Sequence, residues 1–196
     1  MTKDELRREA RRRLRDLLPS QREAAETEIA RLVWTVPEVA GARTLLLFAH
    51  LADEVSTDAI ALEALTRGMH VVFPRVIPGT RAMDLHAVAE PASLRIGAYG
   101  IREPDPERSA RVPAGMVDAV LVPGLAWDRH GGRLGRGAGY YDRLFALPEW
   151  RGFRCGVFFA AQEFPRVPTD PWDVPLQAVV TEGGRNLTQR HRDTEE

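Results

Sequence analysis

Between Gly131 and Asp142 the chain reads GGRLGRGAGYYD, a stretch whose residue types suit it to holding an anion. Glycines at 131, 132, 135, 137 and 139 let backbone N–H groups approach a ligand closely. Arg133 and Arg136, set among them, carry forked donors that match phosphoryl oxygens. Asp142 follows closely, where a carboxylate meets the magnesium of a bound nucleotide. An apolar run, VDAVLV from Val117, precedes the loop and YYDRLFAL follows it. A strand feeding a glycine-rich loop that opens a helix adds the positive end of that helix to the site. Neither the Walker A spacing nor G-x-G-x-x-G is present, because Gly135, Gly137 and Gly139 run G-x-G-x-G. Nucleotide-dependent chemistry is the leading reading, and turn glycines with surface arginines are its competitor.

Elements able to position this loop follow from pattern. Thr2-Lys-Asp-Glu5 is a capping box that opens a helix to about Leu18, with Leu6, Ala10, Leu14 and Leu17 on one stripe. Lys3, Arg7 and Arg11 line another face of it. Ser20-Gln-Arg-Glu23 reads as a second capping box, for a helix to about Trp34. Strands are expected at 44–50, 70–76 with Pro74 near its end, 82–88, 117–122, 152–159 and 177–182. A helix is expected from Asp58 to Arg67, closed by Gly68. Residues 91–113 read as an irregular excursion, and the tail from about Gly183 as frayed. Alternating strands and helices argue an α/β fold with a mainly parallel sheet and helices on both faces, in one domain spanning 1–196.

Composition excludes several classes. The 196 residues are 44% hydrophobic and 28% charged, with a formal net charge of -1, which demands no nucleic-acid or acidic-membrane partner. No run reaches transmembrane length, so no membrane partner is expected. The single Cys155 lies in the strand-like FRCGVFF and reads as a buried apolar residue in a reducing, cytoplasmic setting. Lys3 is the one lysine among 27 basic residues. His50, His70, His86, His130 and His191 show no metal-ligand spacing.

With these residues in hand, the chain resembles the 5-formyltetrahydrofolate cyclo-ligase family. The resemblance runs from Lys3 to Glu182: K-x-x-x-R at Lys3 and Arg7, FAHLADEVST, FPR, YGIREP, RLGRGAGYYDR and VPTDPWDVPLQAVVTE occur in order. It implies a three-layer α/β/α sandwich. It also implies ATP- and Mg2+-dependent conversion of 5-formyltetrahydrofolate to 5,10-methenyltetrahydrofolate, with ADP and phosphate released. By resemblance Lys3, Arg7, Arg133, Leu134, Gly135, Arg136, Gly137, Ala138, Gly139, Tyr140 and Tyr141 bind ATP. Arg133, Arg136 and Glu54 carry the chemistry, Ala49, Glu54 and Tyr99 hold the folate, and Asp142 and Asp173 hold magnesium. A cytoplasmic monomer is expected.

Other readings stand beside these. The basic residues of the first helix equally fit a solvated face, Glu54 the flank of the next helix, Asp142 a dipole cap and Asp173 a turn residue. Departures from the family pattern are Arg136 for an aromatic, Ala138 for glycine or lysine, Trp172 for histidine and Gln177 for aspartate. Ala138 demands a negative φ, and Gln177 and Trp172 leave open a paralogue that binds without turnover. A nucleic-acid module built on the Arg7–Arg15 helix is the third reading.

Overall fold

The computed structural model describes residues 1–188. In chain order its elements are α1 (Lys3–Asp16), α2 (Pro19–Leu32), α3 (Pro37–Ala40), β1 (Thr44–Leu46), α4 (Asp58–Thr66), β2 (His70–Val76) and β3 (Met83–Ala87). There follow β4 (Arg95–Ile96), β5 (Arg102–Glu103), β6 (Ala119–Val122), β7 (Ala126–Trp127), β8 (Arg133–Leu134), α5 (Tyr140–Phe145), β9 (Phe153–Val157), β10 (Ala178–Thr181) and β11 (Gly184–Leu187). The main sheet has the order β11-β10-β9-β6-β1-β2-β3. Its five central strands are parallel, and β3 and β11 pair antiparallel at the two edges.

Alternation within each strand sorts the core into two layers. Leu45, Val71, Phe73, Leu121, Cys155 and Val180 face α1, α2 and α4, which contribute Leu6, Leu14, Ile29, Ile60 and Ala64. Leu46, Val72, Val120, Val122 and Val179 face the other way, onto Leu144 and Phe145 of α5 and onto Trp150 and Phe158. The α/β/α sandwich is therefore unequal: one face has long helices, the other a helix of six residues and its flanking loops.

Several local expectations are corrected. The second helix is capped by Leu18 and Pro19 rather than Ser20, with the Leu18 N–H donating to Gln21 Oε1 at 3.0 Å. Proline at the first helical position costs no hydrogen bond, which explains the earlier start. The strand at 44–50 closes at Leu46, after which the chain turns out of the sheet with one more bond, from Leu47 N–H to the Val72 carbonyl. Pro74 does not end β2. Residues 72 and 74 present their backbone to the same side, and β1 stops before reaching Pro74, so no partner there needs its missing N–H. The 91–113 excursion contains the β4–β5 hairpin. The tail is ordered through β11, which pairs with β10 over Gly184–Leu187; His191 and the rest of the tail lie outside the described residues.

Connections explain where a site can form. From β1 the chain passes through α4 to β2 on one side, whereas from β6 it passes through α5 to β9 on the other. The path reverses between β1 and β6, and a crevice opens at the carboxyl ends of neighbouring strands at such a point.

Candidate active site

The crevice is present. A cleft of about 670 Å³ lies over the ends of β1 and β6, lined by Phe48 and Ala49 after β1 and by Pro123 and Gly124 after β6. Every residue that the sequence nominated, from Lys3, Arg7, Ala49, Glu54 and Tyr99 through Arg133–Asp142 to Asp173, lines this one cleft. Gln177 does not; its side-chain oxygen accepts from the Arg154 N–H at 3.0 Å. Replacing a carboxylate at that position therefore takes nothing from the cleft wall.

The glycine loop has two unlike halves. Its first half is a hairpin, β7–β8, which the sequence did not predict. Asp128, 1% exposed, closes it: Oδ1 accepts from His130 and Gly132 N–H at 2.8 and 2.9 Å, and Oδ2 from Val167 N–H at 2.7 Å. This buried carboxylate fixes where Arg133 leaves the hairpin. The second half, Gly135–Gly139, is a free arch. Among the described residues none of its backbone N–H groups donates a hydrogen bond. Gly137 at φ 113° and Gly139 at φ 69° take conformations that L side chains rarely adopt, and Ala138 keeps a negative φ as required.

Arginines gather at the arch from α1, from β8 and from the arch itself. Arg7 of α1 donates from Nε to the Gly135 carbonyl at 3.1 Å. Arg133, its side chain only 6% exposed, donates to Asp142 at 3.0 Å, and its buried Nε has no partner among the described residues. Arg136 donates to Glu54 at 3.0 Å and pairs with Asp53, tying the arch to the turn that follows β1. Burial opposes the Arg136 charge, but Asp53 and Glu54 outweigh it and raise its pKa. The other Glu54 oxygen accepts from Leu51 N–H at 2.9 Å, so that carboxylate is fixed and 9% exposed.

Lys3 stands one helical turn before Arg7 and meets Asp170 at 2.7 Å and Asp173 at 2.6 Å. Burial disfavours its charge, yet those two carboxylates hold its pKa above the ordinary 10.5. Asp173, nominated for metal, is thus engaged by Lys3, and Asp142 by Arg133 and by the Val174 N–H at 3.3 Å. Tyr99 is 73% exposed at φ 58°, its hydroxyl 3.1 Å from that of Tyr140. Tyr141 instead packs on Phe145, and desolvation pushes its phenol pKa up. Asp170, Met83 and Arg81 line the cleft and were not anticipated. Only the D-x-x-D spacing of Asp170 and Asp173, opposite a lone lysine, offered a signal. Elsewhere on α1, Arg12 pairs with Glu9 and Asp16, and Arg13 with Glu9.

Comparison with known proteins identifies the family. The model of the 5-formyltetrahydrofolate cyclo-ligase family matches residues 1–182. The 5-formyltetrahydrofolate cyclo-ligase of Escherichia coli (strain K12) is 30% identical over 175 residues, covering 87% of this chain and 95% of that protein. That of Mus musculus is 29% identical over 186 residues, with 90% and 92% covered. The solution structure of 5,10-methenyltetrahydrofolate synthetase from Aquifex aeolicus superposes with a TM-score of 0.82 at 33% identity, over 96% of this chain and 94% of that one. The match runs through α1, the arch and β10, the elements that build and back the cleft. This chain belongs to the 5-formyltetrahydrofolate cyclo-ligase family, whose members are ligases that join carbon to nitrogen.

Proposed function

We propose that the chain uses ATP and Mg2+ to close 5-formyltetrahydrofolate to 5,10-methenyltetrahydrofolate, releasing ADP and phosphate. The observation that carries this reading is the arch Gly135–Gly139, with its undonated N–H groups flanked by Arg7, Arg133 and Arg136. The N–H groups of the arch offer a polyphosphate donors that cost no protein hydrogen bond to recruit.

The chemistry fits the residues. A formamide oxygen is a poor leaving group. It attacks the γ-phosphorus, ADP departs, and the formyl carbon becomes electrophilic. N10 then adds to that carbon and gives up its proton, and the phosphate leaves with the C–O bond electrons to form the methenyl cation. Phosphoryl transfer asks chiefly for alignment and charge stabilisation. Arg133 is suited to the latter, because its unpartnered Nε lies in a low-dielectric wall where a hydrogen bond to an anion is strong. Arg136 can exchange Asp53 and Glu54 for phosphate, freeing Glu54 to accept from the pterin and orient N5. Ala49 lies beside it at the end of β1, and Tyr99 offers a flat face to the pterin ring.

A magnesium ion fits the donor set. Asp142 and Asp173 offer hard oxygens beside the arch, and this cation takes one or two carboxylates and completes its shell with water and phosphate. When bound, the ion would offset charge on the phosphates. The decisive experiment follows the near-ultraviolet absorbance of the methenyl product from 5-formyltetrahydrofolate. A rise that requires both ATP and Mg2+ is expected. A flat trace from protein that binds both ligands would mark a non-catalytic paralogue.

A further inference from the structure

Two aromatic side chains in the cleft wall remain largely in solvent, Tyr99 and Trp172, the latter 70% exposed. The other tryptophans are used internally: Trp127 and Trp150 are buried, and Trp34 packs on the core beneath the Arg67 guanidinium. Trp172 belongs to neither apolar cluster. The turn carrying it is nonetheless firmly built. Asp173 N–H donates to the Asp170 carbonyl at 3.0 Å, Asp170 N–H returns to Asp173 Oδ2 at 2.8 Å, and Lys3 clamps both carboxylates. A fixed turn presenting a free indole to a cleft is an arrangement with no internal use.

The surroundings narrow what the indole can accept. The two carboxylates beside it are clamped by Lys3, which leaves the indole a place for a neutral, flat ring. Lys3 touches the Trp172 turn and Arg7 touches the arch, and these residues are one turn of α1 apart, about 6 Å along the axis. That step is on the scale of a ribose. The reaction proposed above brings two flat heterocycles into the cleft, and Tyr99, joined to Tyr140, serves the pterin. We propose that Trp172 is the stacking platform for the purine base of the nucleotide, whose triphosphate runs from there onto the arch. The assignment rests on the nucleotide reading.

The test is titration calorimetry of ATP and of inorganic tripolyphosphate, each with Mg2+, on the full chain and on Trp172→Ala and Trp172→Phe. Stacking of a base on an aromatic ring predicts an ATP Kd raised about five- to a hundredfold by alanine and nearly restored by phenylalanine. Tripolyphosphate affinity should stay within about twofold, and tryptophan fluorescence should be quenched by ATP but not by tripolyphosphate. Unchanged ATP affinity in Trp172→Ala overturns the proposal, as does equal loss of both ligands, which would mean a damaged turn. A rise confined to the KM for 5-formyltetrahydrofolate overturns it too, by assigning the indole to the folate. In each of these cases wild-type turnover leaves the cyclo-ligase reading intact. A wild-type protein that binds neither ATP nor tripolyphosphate removes both.

Discussion

Two buried carboxylates show how differently single residues can serve one site. Glu54 is held by Leu51 and Arg136 at the cleft wall, whereas Asp128 holds three backbone N–H groups behind it. Glu54→Gln keeps the size and an acceptor but loses the charge. It should lower turnover roughly 100-fold through misplacement of the pterin, with the melting temperature nearly retained. Asp128→Ala should instead cost about 2–4 kcal/mol in urea unfolding, because it strands the N–H groups of Gly132 and Val167 in the interior. Asp142 was legible because a carboxylate just after a glycine–arginine loop suggests metal chemistry by type, whereas Glu54 was nominated only through the family resemblance. Asp128 was not, since one of its partners, Val167, is brought to it only by the closing of a distant loop.

At the scale of elements, the arch depends on backbone that only glycine adopts cheaply. A Cβ on Gly137 meets nothing closer than Arg7 Nη2 at 3.7 Å, so the cost of Gly137→Ala is conformational rather than steric. Forcing alanine to φ 113° should reshape the arch, raising the KM for ATP about tenfold or more while stability falls by only about 1–2 kcal/mol. Steady-state kinetics beside a thermal melt would separate the two. The helix α1 was readable from periodicity because it buries one clear stripe, and the strands β6, β9 and β10 were readable as apolar runs because they are buried on both faces. The β7–β8 hairpin was not, since two-residue strands are too short to alternate. Pro74 misled for a related reason: a proline within a strand signals an end only where its neighbour strand is still present.

For the molecule as a whole, the reversal of path between β1 and β6 followed from the order of strands and helices only once their spatial sequence was known. Sheet order is a long-range property that no local pattern carries. The same buried centre sets an alkaline limit on stability. Desolvation on β9 pushes the Cys155 thiol from the ordinary 9.0 up to about 12. The unfolded chain therefore releases that proton near pH 9 while the folded chain keeps it. Stability is full below pH 9 and falls as pH rises towards 12, by at most about 1.4 kcal/mol per pH unit from this group. Tyr141 and Lys3, both raised, steepen the decline above pH 10. Urea midpoints measured between pH 8 and 11 should show the fall, and Cys155→Ala should delay its onset by about one pH unit.

The division of the glycine loop has a consequence for proteases. Arg133 lies in the closed hairpin with its side chain enclosed, while Arg136 stands on the exposed arch without a backbone ladder. A cleaving enzyme must thread an extended segment through its own groove, which the arch permits and the hairpin forbids. Trypsin should therefore nick the native chain after Arg136 long before Arg133, and a nucleotide seated on the arch should shield that bond. The rate of one peptide cleavage then becomes a footprint of phosphate occupancy, readable without any folate present.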